Sequence, residues 1–380
     1  MNALKQLFSV AVMALMAPSC IRDEAPNPEA DILALVFPEN SLRTGEVEIY
    51  NDYIVAYPRS KVNLRDSAIA RLEVSPGATW ERIASPQTGD TLFYVEVTSE
   101  SRQYMKRYAV MQVASFPEIF SFETWTRPGT NFLYENPKEG SLQWYSSNNG
   151  AAIAWSSPGK PAEDYPVRRT TLNGSTAMEL RTMAGPGNIA GGVVFIPCLA
   201  GSAYLGGFNA LTGLTNPLRA TFFGVPFDGG KPTRLTGYYL FREGTEDYIL
   251  PDGTRDGTKR DRCDIYAALF KAGEGPEQFL YGDNIGDSPR VIARAKIGKE
   301  GIVTDRAVFF DVEFDYTYPT PFSWEELENQ QYRLTIVCAS SSRGQFYEGR
   351  PGNTLIVDDL RLYYEAAKDG NERIFESLNF

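Results

Sequence analysis

The sequence predicts an all-β protein of two units, an N-terminal immunoglobulin-like β-sandwich followed by a larger jelly-roll β-sandwich. Three observations carry this expectation. Short runs of alternating or β-branched apolar residues recur along the 380-residue chain, as strands with a buried face require. Turn formers, 33 Gly and 24 Pro among them, separate the runs. No helical pattern alternates with the strands, which disfavours a doubly wound α/β arrangement.

The chain opens on Lys5 and an apolar run, LFSVAVMALMA, from Leu7 to Ala17. The run is too short to span a bilayer as a helix and suits an export signal. Small residues Ala17 and Ser19 lead to Cys20. An ordinary signal would leave Cys20 as a mature thiol. A lipoprotein signal over residues 1–19 would make it the lipid-bearing N-terminus. The following IRDEAPNPEAD favours lipidation, although Ala17 stands where such signals usually carry Leu and Pro18 is unusual in them. This acidic stretch buries too little apolar surface to fold, so residues 20–30 read as a solvated tether. It resembles the surface-export tag of lipoproteins in one group of anaerobic Gram-negative bacteria, which implies outward-facing display on the outer membrane.

Residues 31–116 hold five strand-like runs, DILALVF, EVEIYNDYIVAYP, AIARLEVSPGATW, TLFYVEVTSES and QYMKRYAVMQV. This spacing suggests the immunoglobulin-like sandwich. Pro117 then breaks the strand pattern, and SFPEIF reads as the joint. From 118 to 366 the runs continue and suffice for one large sandwich. They include AAIAW, AMELRT, GGVVFI, LTGYYLF, CDIYAALF, AVFFDVEFD, YRLTIVCAS and TLIVDDLRLYY. One short helix is expected at SWEELENQ, where Ser323 and Glu326 have capping-box spacing. The charged stretch REGTEDYILPDGTRDGTKRDR reads as a long, mobile loop, and 367–380 as a polar tail. Within the loop, Asp252 and Asp256 lack the spacing and terminal Glu of an EF-hand.

Composition narrows the chemistry. A net charge of −11 argues against nucleic acid or an anionic membrane surface as partner. Zero histidines exclude Ser-His-Asp and Cys-His catalysis and remove the usual zinc and copper ligand sets. Beyond Cys20, three thiols remain, Cys198, Cys263 and Cys338, each inside an apolar run. They read as small buried hydrophobes, with one disulfide left open.

Several phrases in fixed order resemble one family of exported bacterial proteins, the putative carbohydrate metabolism domain. They are FSFETW, LQWYSSNNGAAIAW, AMELRT, NPLRATFFGVPFDGGKPTRLTGYYLFREG, DRCDIYAALF and NTLIVDDLRLYYE. The similarity spans about 118 to 365 and implies a jelly roll with a role in handling glycans. It brings no established catalytic residues.

Three candidate sites follow. Asp311, Glu313 and Asp315 share one strand face, with carboxylates about 6.5–7 Å apart. That overlaps the roughly 6.5–9.5 Å of an inverting glycosidase. Groups side by side on one strand flank a bond poorly, however, and a solvated outer face explains them better. For sugar binding, the candidates are Trp144, Tyr145, Asn148, Asn149, Trp155 and Tyr165. Sugar rings stack on aromatic faces and offer hydroxyls to amides. The alternatives are core packing for the rings and turn shaping for the asparagines. Of Tyr238 and Tyr239, one must point inward. Lastly, Asp358 falls on an apolar strand face and needs an Arg, backbone N–H groups or a cation. Calcium-binding jelly-roll carbohydrate modules are similar in pairing a first-strand Glu with a last-strand Asp, which nominates Glu123 with Asp358 for a structural calcium.

The expectation is therefore a surface-tethered lipoprotein that binds an oligosaccharide without cleaving it. Its rivals are a carboxylate-dependent hydrolase or lyase, and an adhesin that binds a surface protein partner.

Overall fold

The computed structural model describes residues 25–365, apart from residues 40, 43–45, 59–63, 66, 86–90, 113–115, 129–131, 156–158 and 299–302, and the side chain of residue 214. The signal, Cys20 and the 367–380 tail lie outside the described residues. Of the tether, Asn27 donates its N–H to Glu100 at 2.8 Å and Ala30 is buried, so its last residues dock on the first sandwich.

That first sandwich sets a five-stranded sheet against a two-stranded one. In the larger sheet the Tyr53–Ala56 and Met105–Gln112 strands pair in parallel, and the other neighbours are antiparallel. The smaller sheet pairs Ile32–Val36 with Arg71–Val74. Alternate residues such as Ile54 and Ala56, and Phe93, Val95 and Val97, fill the space between them.

The second sandwich has two six-stranded sheets that share one large core. Its front sheet runs Tyr145–Ser146, Ser202–Tyr204, Tyr332–Ala339, Asp264–Lys271, Val291–Lys296, with Val225–Pro226 also on the third of these. Its back sheet runs Val167–Leu172, Ser175–Arg181, Thr354–Glu365, Lys231–Arg242, Val308–Glu313, with Ile119–Phe120 on the third. Successive strands change sheets repeatedly, as in a jelly roll. Period-two alternation sends Ile265, Ala267 and Leu269 inward, against Leu355, Val357 and Leu360 of the other sheet.

Front-sheet strands are buried on their outer side too. Phe270, Val291 and Val337 pack there with Tyr204, Phe223, Leu280 and Ile285 in a second cluster. Two-sided burial explains why CDIYAALF and YRLTIVCAS read as nearly unbroken apolar runs. Cys198, Cys263 and Cys338 are buried free thiols, and burial raises all three.

Two local expectations need correcting. AAIAW is not a strand but the end of a helix, Ser147–Trp155. Its start is a reciprocal cap, in which Asn148 N–H donates to Ser146 Oγ and Ser146 N–H donates to Asn149 Oδ1. That is the capping-box logic with Asn in the third position. The 242–262 loop is also anchored where mobility was expected. It forms a small hairpin, Tyr248–Ile249 against Arg255–Asp256, with Tyr248 fully buried. Asp252 and Asp256 accept backbone N–H groups of Thr254 and Thr258 in local turns. The expected helix forms at Trp324–Glu328, with Ser323 accepting from the Glu326 N–H.

Candidate functional site

Above the front sheet lies a cleft of about 320 Å3. Its floor is the sheet's outer face, where Asp264, Tyr266, Arg294, Lys296, Val337 and Ala339 point by strand alternation. One wall is the Ser147–Trp155 helix, which offers Gly150, Ile153 and Ala154. A hairpin built from Met183–Ile189 and Val194–Leu199 supplies Ile189, Val194 and Ile196. Phe208 and the Ala210–Thr215 helix add another side, and the loop from Ser341 to Tyr347 closes one end.

That end loop is held by buried charge. Glu348 accepts from Lys259 at 2.8 Å, from Arg343, and from the Tyr248 hydroxyl at 3.1 Å. Desolvation would raise its carboxyl, but these donors outweigh it and leave Glu348 below the usual range. Asp261 accepts from Arg350 N–H, Arg262 N–H, Ser341 Oγ and Asn353 Nδ2. Its desolvation still prevails, so Asp261 is raised. The framework fixes Tyr347 with φ of 58°, a left-handed backbone rare for a bulky residue, at the cleft's edge.

Polar groups on the floor are few. Asp264 is 7% exposed and takes a hydrogen bond from Lys296 at 2.7 Å. Burial pushes its carboxyl up, and Lys296 offsets that only in part. Burial likewise raises the Tyr266 phenol, which stays neutral and able to donate. Asp264 is the single carboxylate among the described residues that line the cleft.

The residues nominated from sequence are placed differently. Trp144 is wholly buried in the main core, 5.5 Å from the Phe120 ring and 5.4 Å from Phe122, with no face open to a ligand. Tyr145 bonds its hydroxyl to that of Tyr53 at 3.0 Å, across the joint between the two sandwiches. Asn148 is buried and clamps Val167, accepting its N–H at 2.9 Å and donating to its carbonyl at 2.7 Å. Asn149 caps the helix and accepts from Asn136. Trp155 and the buried Tyr165 meet edge to face at 6.0 Å in a satellite cluster, with Lys160 over the Trp155 ring. For Trp144 and Tyr165 the core alternative is therefore what the structure shows. The asparagines shape local backbone. The segment does reach the cleft, but through Ser146, Ser147, Gly150, Ile153 and Ala154 and not through the nominated side chains.

Elsewhere, Asp311, Glu313 and Asp315 sit on the exposed face, while Phe310 and Phe314 are buried. Tyr239 points inward and Tyr238 outward. Asp358 is buried, but its two oxygens accept from Ser175 Oγ and the Asp359 N–H, and Glu123 accepts from Thr176 N–H. Desolvation, with Glu123 as a lesser neighbour, raises Asp358. Among the described residues no group of three or more acidic or thiol side chains could hold a metal.

What the sequence did not nominate is the cleft floor itself. DIYAALF and VIARAK carry the alternation, but Asp264, Tyr266, Arg294 and Lys296 share a face only once the strands are paired.

Fold and cleft define a two-unit β-sandwich protein with a ligand-sized groove on one sheet. The chain belongs to the family described as "Putative carbohydrate metabolism domain", whose profile matches residues 121–363. Among solved structures it is similar to a putative glycoside hydrolase from Bacteroides thetaiotaomicron VPI-5482. The TM-score is 0.76 and the identity 29%, over 91% of this chain and 99% of that one. A putative glycoside hydrolase from Bacteroides vulgatus ATCC 8482 matches with TM-score 0.58 and 28% identity, over 66% of this chain and 98% of that one. Among curated proteins, none matches.

Proposed function

We propose that the protein recognises a glycan in the front-sheet cleft and does not cleave it. The first sandwich acts as spacer, and a lipid on Cys20 tethers the whole to the outer face of the outer membrane. One observation carries the reading. The cleft offers partly exposed rings at Tyr266, Phe208 and Tyr347 and hydroxyl or amide groups at Ser342 and Gln345, but only one carboxylate among its described lining residues, already paired with Lys296. Aromatic faces and hydrogen-bonding tips are what a sugar ring needs. Membership in the carbohydrate metabolism family points the same way.

Hydrolysis is the rival, and it takes its support from what the two Bacteroides proteins are described as. Asp264, with its raised carboxyl, would be the acid. Glycoside hydrolysis ordinarily needs a second carboxylate roughly 5–9.5 Å away across the bond. The neighbouring candidates, Asp261 and Glu348, are buried with their oxygens occupied by donors.

The test is a glycan array on soluble protein beginning after Cys20, with reducing ends counted in the same wells. Binding without new reducing ends, weakened about three- to tenfold by Tyr266→Ala, is the expected result. Reducing ends that grow with time and vanish in Asp264→Asn would make this an enzyme.

A further inference from the structure

The cleft floor is positive in a chain whose net charge is −11. Among its described lining residues the acidic and basic side chains are Arg294, Lys296 and Asp264, two basic groups against one carboxyl. Arg294 and Lys296 stand two residues apart on one strand, so both project from the same face. Lys296 is matched to Asp264 at 2.7 Å.

Arg294 forms no salt bridge with a carboxylate among the described residues, and it acts on Asp264 only across a longer distance. Its guanidinium donates to the backbone carbonyls of Ile285 at 2.5 Å and Gly286 at 3.3 Å. Its Nε is buried and makes no hydrogen bond within the protein. The rings of Tyr266 and Tyr318 lie 5.4 and 5.8 Å from the guanidinium carbon and hold it in place. A fixed guanidinium in a partly desolvated groove is a poor companion for a neutral sugar alone, because the one nearby carboxylate, Asp264, is already bonded to Lys296 and offsets its charge only in part. It is a good one for a planar anion, which accepts charge-assisted bonds.

Building on the binding reading, we propose that the cleft selects an acidic glycan, whose uronate carboxylate or sulfate ester takes hydrogen bonds from Arg294 and Lys296. The competing role for Arg294 is purely structural, a clamp on the 285–286 turn.

The experiment measures affinity for polygalacturonate, alginate and chondroitin sulfate, each beside its carboxyl-reduced form and, for the last, its desulfated form. The expected result is at least one pair in which the acidic member binds about ten- to a hundredfold tighter, the range for a charge-assisted bond. That preference shrinks with added salt, disappears in Arg294→Gln and persists in part in Arg294→Lys. Whether carboxyl reduction or desulfation removes it tells uronate from sulfate. Equal or tighter binding of the neutral members would overturn charge selection and leave glycan recognition standing. Failure to bind any polysaccharide, acidic or neutral, would overturn both. An Arg294→Gln protein with unchanged melting temperature and undiminished preference would return Arg294 to its structural role and overturn the assignment.

Discussion

The two sheets of the second sandwich share one core, yet their outer faces have opposite fates. On the back sheet the Val308–Glu313 strand leaves Phe309 53% exposed beside the outward Tyr238, and Asp311 meets Arg234 in open solvent. On the front sheet the Val291–Lys296 and Asp264–Lys271 strands carry a similar mixture of acid, cation and aromatic residues. There Asp264 is 7% exposed, because the Ser147–Trp155 helix, the glycine-containing hairpin and the 341–347 loop stand around it. Alternating chemistry along a strand does not make a site. Whatever rises around that strand does.

The largest expected effect comes from refilling the covered face. Ala339 lies in the floor, opposite Asp264 in register. Ala339→Trp should occupy much of the cleft and reduce glycan binding below detection, while Phe309→Trp on the open face leaves it unchanged. Calorimetric titration of both, with circular dichroism to confirm folding, checks this. If the two substitutions act alike, the cleft is not where the ligand sits.

A middling effect is expected from breaking one ion pair on each face. Lys296→Met strips Asp264 of its hydrogen-bonded cation in a place where the carboxylate cannot readily recover water. Breaking a fully buried pair costs about 3–5 kcal/mol. Lys296 is itself 46% exposed, so screening reduces this to about 1–2 kcal/mol. Arg234→Met should lower the urea midpoint only slightly, since both partners are solvated. A larger loss for Arg234→Met would reverse the contrast.

Much of the architecture was legible because burial leaves a period-two trace. Phe310, Val312 and Phe314 against Asp311, Glu313 and Asp315 is such a trace, and the structure keeps it. Ser323 announced its helix by a cap that acts over three residues. The Ser147–Trp155 helix hid because its cap uses Asn149, its first residues Ser147 to Gly150 have turn chemistry, and Trp155 ends it with a ring that suits strands equally well. Trp144 misled for a different reason. Ring content is visible in a sequence, but a ring facing a core and a ring facing a sugar look alike until the opposite sheet is placed. The cleft floor was harder still. Lys296 and Asp264 are 32 residues apart and meet only through strand register.

The smallest effect, and the finest test of the contrast, lies in pH. Asp264 has its carboxyl raised above the ordinary 3.8, by desolvation first, with Lys296 opposing. Its folded state therefore holds the proton more tightly than the unfolded chain does. The stability tied to that proton is fully present below about 3.8 and is lost as pH rises through the raised value. Asp311 has its carboxyl lowered by the Arg234 hydrogen bond, so its contribution is present above 3.8 and fades as pH falls through the lowered value. Urea midpoints from pH 3 to 7 should thus show wild type losing ground to Asp264→Asn as pH climbs past about 4. Against Asp311→Asn it should lose a little ground as pH drops below that point. A wild type that instead gains on Asp264→Asn with rising pH would mean that the Lys296 attraction outweighs desolvation. The cleft floor would then be as wet as the open face, and the walls around it would not be what sets its chemistry.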